Sequence, residues 1–153
     1  MKLFQLILIT LLSYTISSND TLNIDLLDLY KDLHQNPELS YKEFKTSKKL
    51  SLILKDLGYE VTNGVGGNGV VALLKNGEGK TVMLRADMDG LPVKEKTGAS
   101  YASKTKTLND DGQEVFTMHA CGHDVHMTVL IGSAQYLIQN KSDWSGTLML
   151  NLQ

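Results

Sequence analysis

A single cysteine, Cys121, is the only thiol in this chain, so no internal disulfide can staple it. There is no block of Lys or Arg either. The net charge is −2 over 153 residues, and Lys48, Lys49 and Lys55 stand among apolar residues as the solvated side of a helix. That distribution argues against a phosphate-tracking surface, and so against nucleic acid as a partner. There is no internal repeat and no low-complexity tract, which argues against solenoids and disordered tails. No apolar run reaches the length needed for a stable membrane span.

One short apolar run does have a meaning. Lys2 precedes Leu3, Phe4, Leu6, Ile7, Leu8, Ile9, Leu11 and Leu12, and Ser13, Ser17 and Ser18 follow. A basic start, a short apolar stretch and a small-residue exit predict a secretory signal peptide over residues 1–18. Residues 19–153 are then one domain, delivered outside the cell or into the secretory lumen. Its composition, 42% hydrophobic and 21% charged, is that of an ordinary globular protein. Asn19-Asp20-Thr21 and Asn140-Lys141-Ser142 are glycosylation acceptor patterns that such a route would expose. A lone thiol in an oxidising compartment needs an occupant or a burial place. Metal coordination would supply the first, an apolar core the second.

The periodicity gives an order of elements. Leu22, Leu26, Leu29, Tyr30 and Leu33 recur at helical spacing, and Pro37 ends that helix. Ser40 with Glu43 reads as a capping box for a second helix carrying Phe44, Leu50, Ile53, Leu54 and Leu57, and Gly58 stops it. Tyr59–Thr62, Val70–Leu74 and Thr81–Ala86 are strand-length runs, separated by the glycine-rich 63–68 stretch and by Asn76-Gly77. Residues 94–113 are polar and read as a long excursion. A third helix spans about 124–140, with Val125, Val129, Leu130, Ala134, Leu137 and Ile138 as its apolar face. Thr147–Leu152 is a last apolar strand, expected to present an unpaired edge prone to aggregation. Strands alternating with helices make this an α/β fold, with helices packed on a mixed sheet.

Two segments carry chemistry. In Leu84-Arg85-Ala86-Asp87-Met88-Asp89-Gly90-Leu91-Pro92, a strand ends in two carboxylates placed two residues apart. An extended backbone puts both on one face. Like charges that close need a cation or another partner, which Arg85 or a metal could be. Strand carboxyl ends are also where ligand sites collect in open α/β sheets. The second segment is Met118-His119-Ala120-Cys121-Gly122-His123-Asp124-Val125-His126. It holds three imidazoles, a thiol and a carboxylate at a loop-to-helix junction. Thiolate and imidazole suit zinc and other first-row metals. Cys121 and His123 cannot share a helix face, so they must coordinate from an irregular turn, which Gly122 permits.

The strings RADMDGLPVKEKTG and MHACGHDVHMT, in that order, resemble the paired signature of the peptidase M20 amidohydrolases. The nearest likeness is to the branch with hippurate hydrolases, N-acyl-amino-acid amidohydrolases and auxin-conjugate hydrolases. LHQNPELSYKEFKTS and GVGGNGVVALLKNGEG resemble that branch's opening helices and first hairpin, so the likeness covers about Leu29 to Leu152. The resemblance implies a zinc-exopeptidase-like catalytic domain of which this is the N-terminal part. It implies Cys121 as a ligand bridging two divalent ions, His123 as a ligand to one of them, and Asp89 as the carboxylate orienting the site. Asp87 stands where related branches carry a histidine ligand, which makes it a candidate third ligand. His119, Asp124 and His126 belong to the motif without being assigned as ligands. His34 and Glu38 are implied to be structural, bonding helix ends. The ions would be zinc or manganese, with cobalt or nickel also suited. The substrate would be an N-acyl amino acid or a similar small amide conjugate, and the full-length form could be a homodimer. The general-base glutamate is implied to lie just past Gln153, so the chain by itself is expected to be inactive. A secreted metal-binding homologue without catalysis, and a plain domain with a buried cysteine, are the other readings the residues leave open.

Overall fold

The computed structural model describes residues 23–153. The expected signal peptide at 1–18, the Asn19 acceptor and Leu22 lie outside those residues.

Helix α1 runs Leu26–Gln35. Its N-cap is Asp25, whose carboxylate accepts from the backbone N–H groups of Leu27 and Asp28, satisfying two donors a helix start leaves free. It stops at Gln35, immediately before Asn36-Pro37, as the proline requires. Helix α2 runs Phe44–Asp56, and here the capping-box expectation fails. Glu43 is the cap residue and makes no capping bond of its own. The Glu38 carboxylate reaches across instead, accepting from the N–H of Lys45 at 3.2 Å, the N–H of Thr46 at 2.8 Å and the Thr46 hydroxyl at 2.9 Å. An anion at a helix N-terminus also complements the dipole. Glu43 is free to bond Tyr41 N–H and the Asn68 amide.

Strands β1 (Glu60–Val65), β2 (Gly69–Asn76) and β3 (Thr81–Ala86) follow. The polar excursion is not structureless: β4 (Lys106–Leu108) and β5 (Glu114–Phe116) pair as an antiparallel hairpin. Helix α3 spans His123–Gln139, a short 3-10 turn covers Lys141–Asp143, and β6 runs Gly146–Leu152. No helix among the described residues is long and apolar enough to cross a membrane.

The main sheet has the order β1-β2-β6-β3. β6 is antiparallel to β2 and parallel to β3. The sheet is therefore mixed, and β6 lies inside it rather than at an edge. Its pairing to β2 and β3 uses both sides of its backbone, and Leu148, Leu150 and Leu152 are buried. Those three share a face with Val70, Ala72, Leu74 and Ala86, over which α2 and α3 pack, while α1 leans on α3.

The exposed apolar edge is β3, with Val82 57% and Met83 55% exposed. Association through this edge is the expected liability. Val82→Lys should lower light scattering at a given concentration while changing stability by no more than about 0.5 kcal/mol. Unchanged scattering would put the association elsewhere.

Two apolar readings shift. Phe44 is 65% exposed, and on α3 Val125 and Val129 are 46% and 61% exposed. The buried stripe of α3 is Met127, Leu130, Ile131 and Ala134. These sit at i, i+3, i+4 and i+7, as one helix face requires.

Candidate metal centre

The carboxylates stand at the end of β3. Past Ala86 the chain stays extended and zipped on both sides. Met88 N–H donates to Gln153 O at 2.8 Å, Gly90 N–H to Glu38 O at 2.7 Å, and Leu91 N–H to Met118 O at 2.8 Å. Met88 therefore points into the core, fully buried, and Asp87 and Asp89 point the other way, partly exposed. Gly90 is demanded by space. A Cβ there would lie 2.9 Å from Pro37 Cβ and 3.2 Å from Met118 O. Arg85 Nη2 donates to Asp87 Oδ1 at 2.7 Å. A cleft of about 420 Å³ opens here, with Arg85, Asp87, Asp89, Asn151, Gln153 and Tyr41 on its walls. Tyr41 holds a left-handed φ of 62°, rare for a residue with a side chain.

The second segment meets these carboxylates through Asp89. Gly122 takes a left-handed φ of 75° at the start of α3, which lets the loop turn into the helix without the steric cost a side chain would bring. His123, the first helical residue, places Nδ1 2.9 Å from Asp89 O and 2.9 Å from Asp89 Oδ1. A proton on Nδ1 satisfies both acceptors and leaves Nε2 with its lone pair, the state a metal ligand needs. Nε2 faces Asp87 Oδ2 across 4.0 Å. A gap of that size can be bridged by a cation whose bonds to nitrogen and oxygen are each about 2 Å. His126 stacks beside His123, ring centroids 5.9 Å apart, so the two do share a helix face.

His123, Asp89 and Asp87 are thus brought together, with Asp89 in contact with the His123 Nδ1. Cys121 is exposed, which ends the buried-cysteine reading. Among the described residues no three His, Cys, Asp or Glu side chains converge as a complete ligand set. His123 and Asp87 fit one side of a divalent site, a pre-oriented imidazole facing a carboxylate, and the exposed Cys121 thiol stands two residues before His123 in the chain.

Behind the turn lies a buried polar cluster. His34 Nδ1 contacts Asp124 Oδ2 at 2.6 Å, and His34 Nε2 contacts Glu95 Oε1 at 3.1 Å. Burial opposes a charge on His34, but the hydrogen bonds to Asp124 and Glu95 outweigh it and hold its pKa above the ordinary value. Burial raises Glu95, yet the hydrogen bonds from Thr97, His34 and Ser103 prevail and lower it. For His119, burial dominates and lowers the pKa. Its Nδ1 lies 3.1 Å from Asp89 O, and its buried Nε2 has no partner among the described residues. Glu38 bonds a helix end as expected, but His34 instead ties two helices and a loop together. Glu95 carries no sequence signal: it is one charge in the polar VKEKTG string, and only the fold brings it to His34.

The sequence profile described as Peptidase family M20/M25/M40 matches residues 83–153. The chain is 44% identical over 139 residues to "Thermostable carboxypeptidase 2" of Saccharolobus solfataricus, covering 88% of this chain and 33% of that protein. It is 43% identical to the "Hippurate hydrolase" of Campylobacter jejuni, covering 79% and 29%. A solved structure from Bacillus subtilis, described as a dinuclear metal binding peptidase from the M20 family, superposes with a TM-score of 0.73 at 36% identity, over 84% of this chain and 34% of that one. The chain spans about a third of the length of the curated relatives it matches. The profile, the relatives and the shared fold together show that this chain resembles peptidase family M20 over that length.

Proposed function

We propose that this chain supplies one side of the metal centre of an amidohydrolase that cleaves N-acyl amino acids or similar small amide conjugates. The observation that carries the reading is His123: its Nδ1 is engaged by Asp89 and its Nε2 faces Asp87 across a cation-sized gap. In this reading Cys121 and His123 would hold two divalent ions, and Asp87 would add a carboxylate. Zinc or manganese is the first choice, cobalt or nickel the next. A cation bound there lowers the pKa of a water and polarises an amide carbonyl. Asp89 keeps the His123 proton on Nδ1 and fixes the ring plane. Arg85, paired with Asp87, offsets the charge of the carboxylates when no cation is there. The general base is a glutamate supplied from beyond Gln153, so hydrolysis belongs to a longer polypeptide that also provides the remaining ligands. Delivery through the secretory route and dimerisation of that longer form are part of the same proposal.

The test is a zinc titration of the full chain by calorimetry, repeated with Cys121→Ala and His123→Ala. Each variant should lose on the order of 100-fold in affinity, at the top of the range for an outer-shell change. Binding that is absent in the wild type, or unaltered in both variants, would sink the proposal. A catalytic assay separates the readings further. No hydrolysis of N-benzoylglycine is expected from the chain alone; turnover by it would place the base within these residues.

A further inference from the structure

The Asp124–His34–Glu95 cluster is made by three distant parts of the chain. His34 comes from α1, Asp124 from the first turn of α3 and Glu95 from the loop after β3, separations of 90 and 61 residues. The three side chains are 9%, 2% and 0% exposed. Two buried carboxylates around one imidazole are an expensive way to gain stability, since apolar groups of similar volume often do as well or better. The cluster therefore calls for a reason beyond holding the fold together.

Its location supplies one. Asp124 follows His123 directly in the same helical turn. That turn has no side-chain cap, and a Cβ added to the glycine before it would meet nothing within 4 Å. The joint is thus held by neither a cap nor packing on Gly122. Besides the contacts of His119 and His123 to Asp89, Asp124 holds the turn. One carboxylate oxygen accepts from Val125 N–H at 2.9 Å and the other takes His34 Nδ1 at 2.6 Å, so the side chain is fixed at both oxygens. His34 cannot swing away. Glu95 holds its far nitrogen, and Tyr30 and Tyr101 stand against its ring with centroids 5.6 and 5.4 Å away.

We propose that His34 is a positioning residue for the metal-binding turn: through Asp124 it fixes the first turn of α3, and so the placement of Cys121 and His123, setting metal affinity without touching the metal. This rests on the metal-site reading above.

Two conservative variants separate positioning from bulk stability. In His34→Asn the amide nitrogen can stand near the Nδ1 position and keep a donor for Asp124. In His34→Gln it stands near Nε2, keeping Glu95 and losing Asp124. Both remove the ring and should lower the melting temperature. Co²⁺ is the probe, followed through its thiolate charge-transfer band in the full chain. His34→Asn should hold Co²⁺ to within about threefold of wild type, and His34→Gln should lose about tenfold or more, the scale of an outer-shell loss. Zinc binding to the wild type should also shift the His34 ring resonances in the NMR spectrum. Equal affinities in the two variants, or an unmoved His34 resonance on zinc binding, overturn the positioning role while the metal site stands. If the variants fail to fold, the wild-type resonance decides. No cobalt–thiolate band in the wild type overturns both readings together.

Discussion

Replacing His34 by leucine should cost about 3–5 kcal/mol, because it takes the shared imidazole partner from two buried carboxylates at once. Against a total of about 5–15 kcal/mol for a small domain, that leaves little margin. The loss should also carry a pH signature. The folded pKa of His34 is raised, so its contribution is complete below the ordinary value of 6.5 and fades as pH climbs through the folded value. The folded pKa of Glu95 is lowered, so its contribution is complete above the ordinary 4.5 and fades as pH falls through the folded value. Both are therefore in place between pH 4.5 and 6.5. The groups facing His34 are Asp124 on α3, Glu95 on the loop after β3 and the rings of Tyr30 and Tyr101. His119 lies near enough to feel Asp124 and His34, and burial keeps it from competing for a proton. Denaturant melts of wild type and His34→Leu should differ most inside that window. A difference that grew steadily above pH 6.5 would show that the charged imidazole is not what stabilises the cluster.

Much of the site is legible in the residues because it is local. Asp87 and Asp89 two apart on an extended segment have to share a face, and Met88 between them has to turn inward. Gly122 has to supply a left-handed turn if Cys121 and His123 are to act from one loop. Those are consequences of backbone geometry over a few residues. What the sequence cannot show is the long-range part. Nothing in LHQNPE says that His34 will meet Asp124, and nothing in VKEKTG marks Glu95. Glu38 illustrates the same limit from another side. Its helix-end role is legible, but Ser40 and Glu43 match a local capping pattern, and a carboxylate from outside that pattern takes the N–H groups instead.

The fold divides in the same way. Helices with a clear polar side are legible, as is every strand bounded by glycine or Asn-Gly. α3 is apolar almost all round, so its periodicity sets no phase, and Val125 and Val129 read as inward-facing when they face out. The β4–β5 hairpin is held by Lys106–Glu114 pairing and backbone bonds rather than by apolar alternation, so it leaves no pattern to read. The strand order is the largest gap. Thr147–Leu152 comes last among the strands and is apolar at four of its six positions, which suits an edge and a central strand equally.

Leu150 decides between those two placements by experiment. It is fully buried at the middle of β6, opposite Ala72 on β2 and Leu84 on β3. Helices pack over its face, so a shortened side chain leaves a cavity. Leu150→Ala should therefore cost about 2–5 kcal/mol, transfer and cavity together. Its neighbour Met149 points to the opposite face, beside Leu73 and Met83, where burial is only partial. Met149→Ala should cost about 1 kcal/mol, since much of its surface is already in water. Chemical melts of the two variants give the comparison directly. Had β6 been an edge strand, Leu150 would sit beside solvent and the two substitutions would cost alike. A wide gap with Leu150 as the costly one places β6 inside the sheet, with Gln153 bonded to Ala86 and Met88 on β3's continuation, and so ties the end of β6 to the strand that presents Asp87 and Asp89.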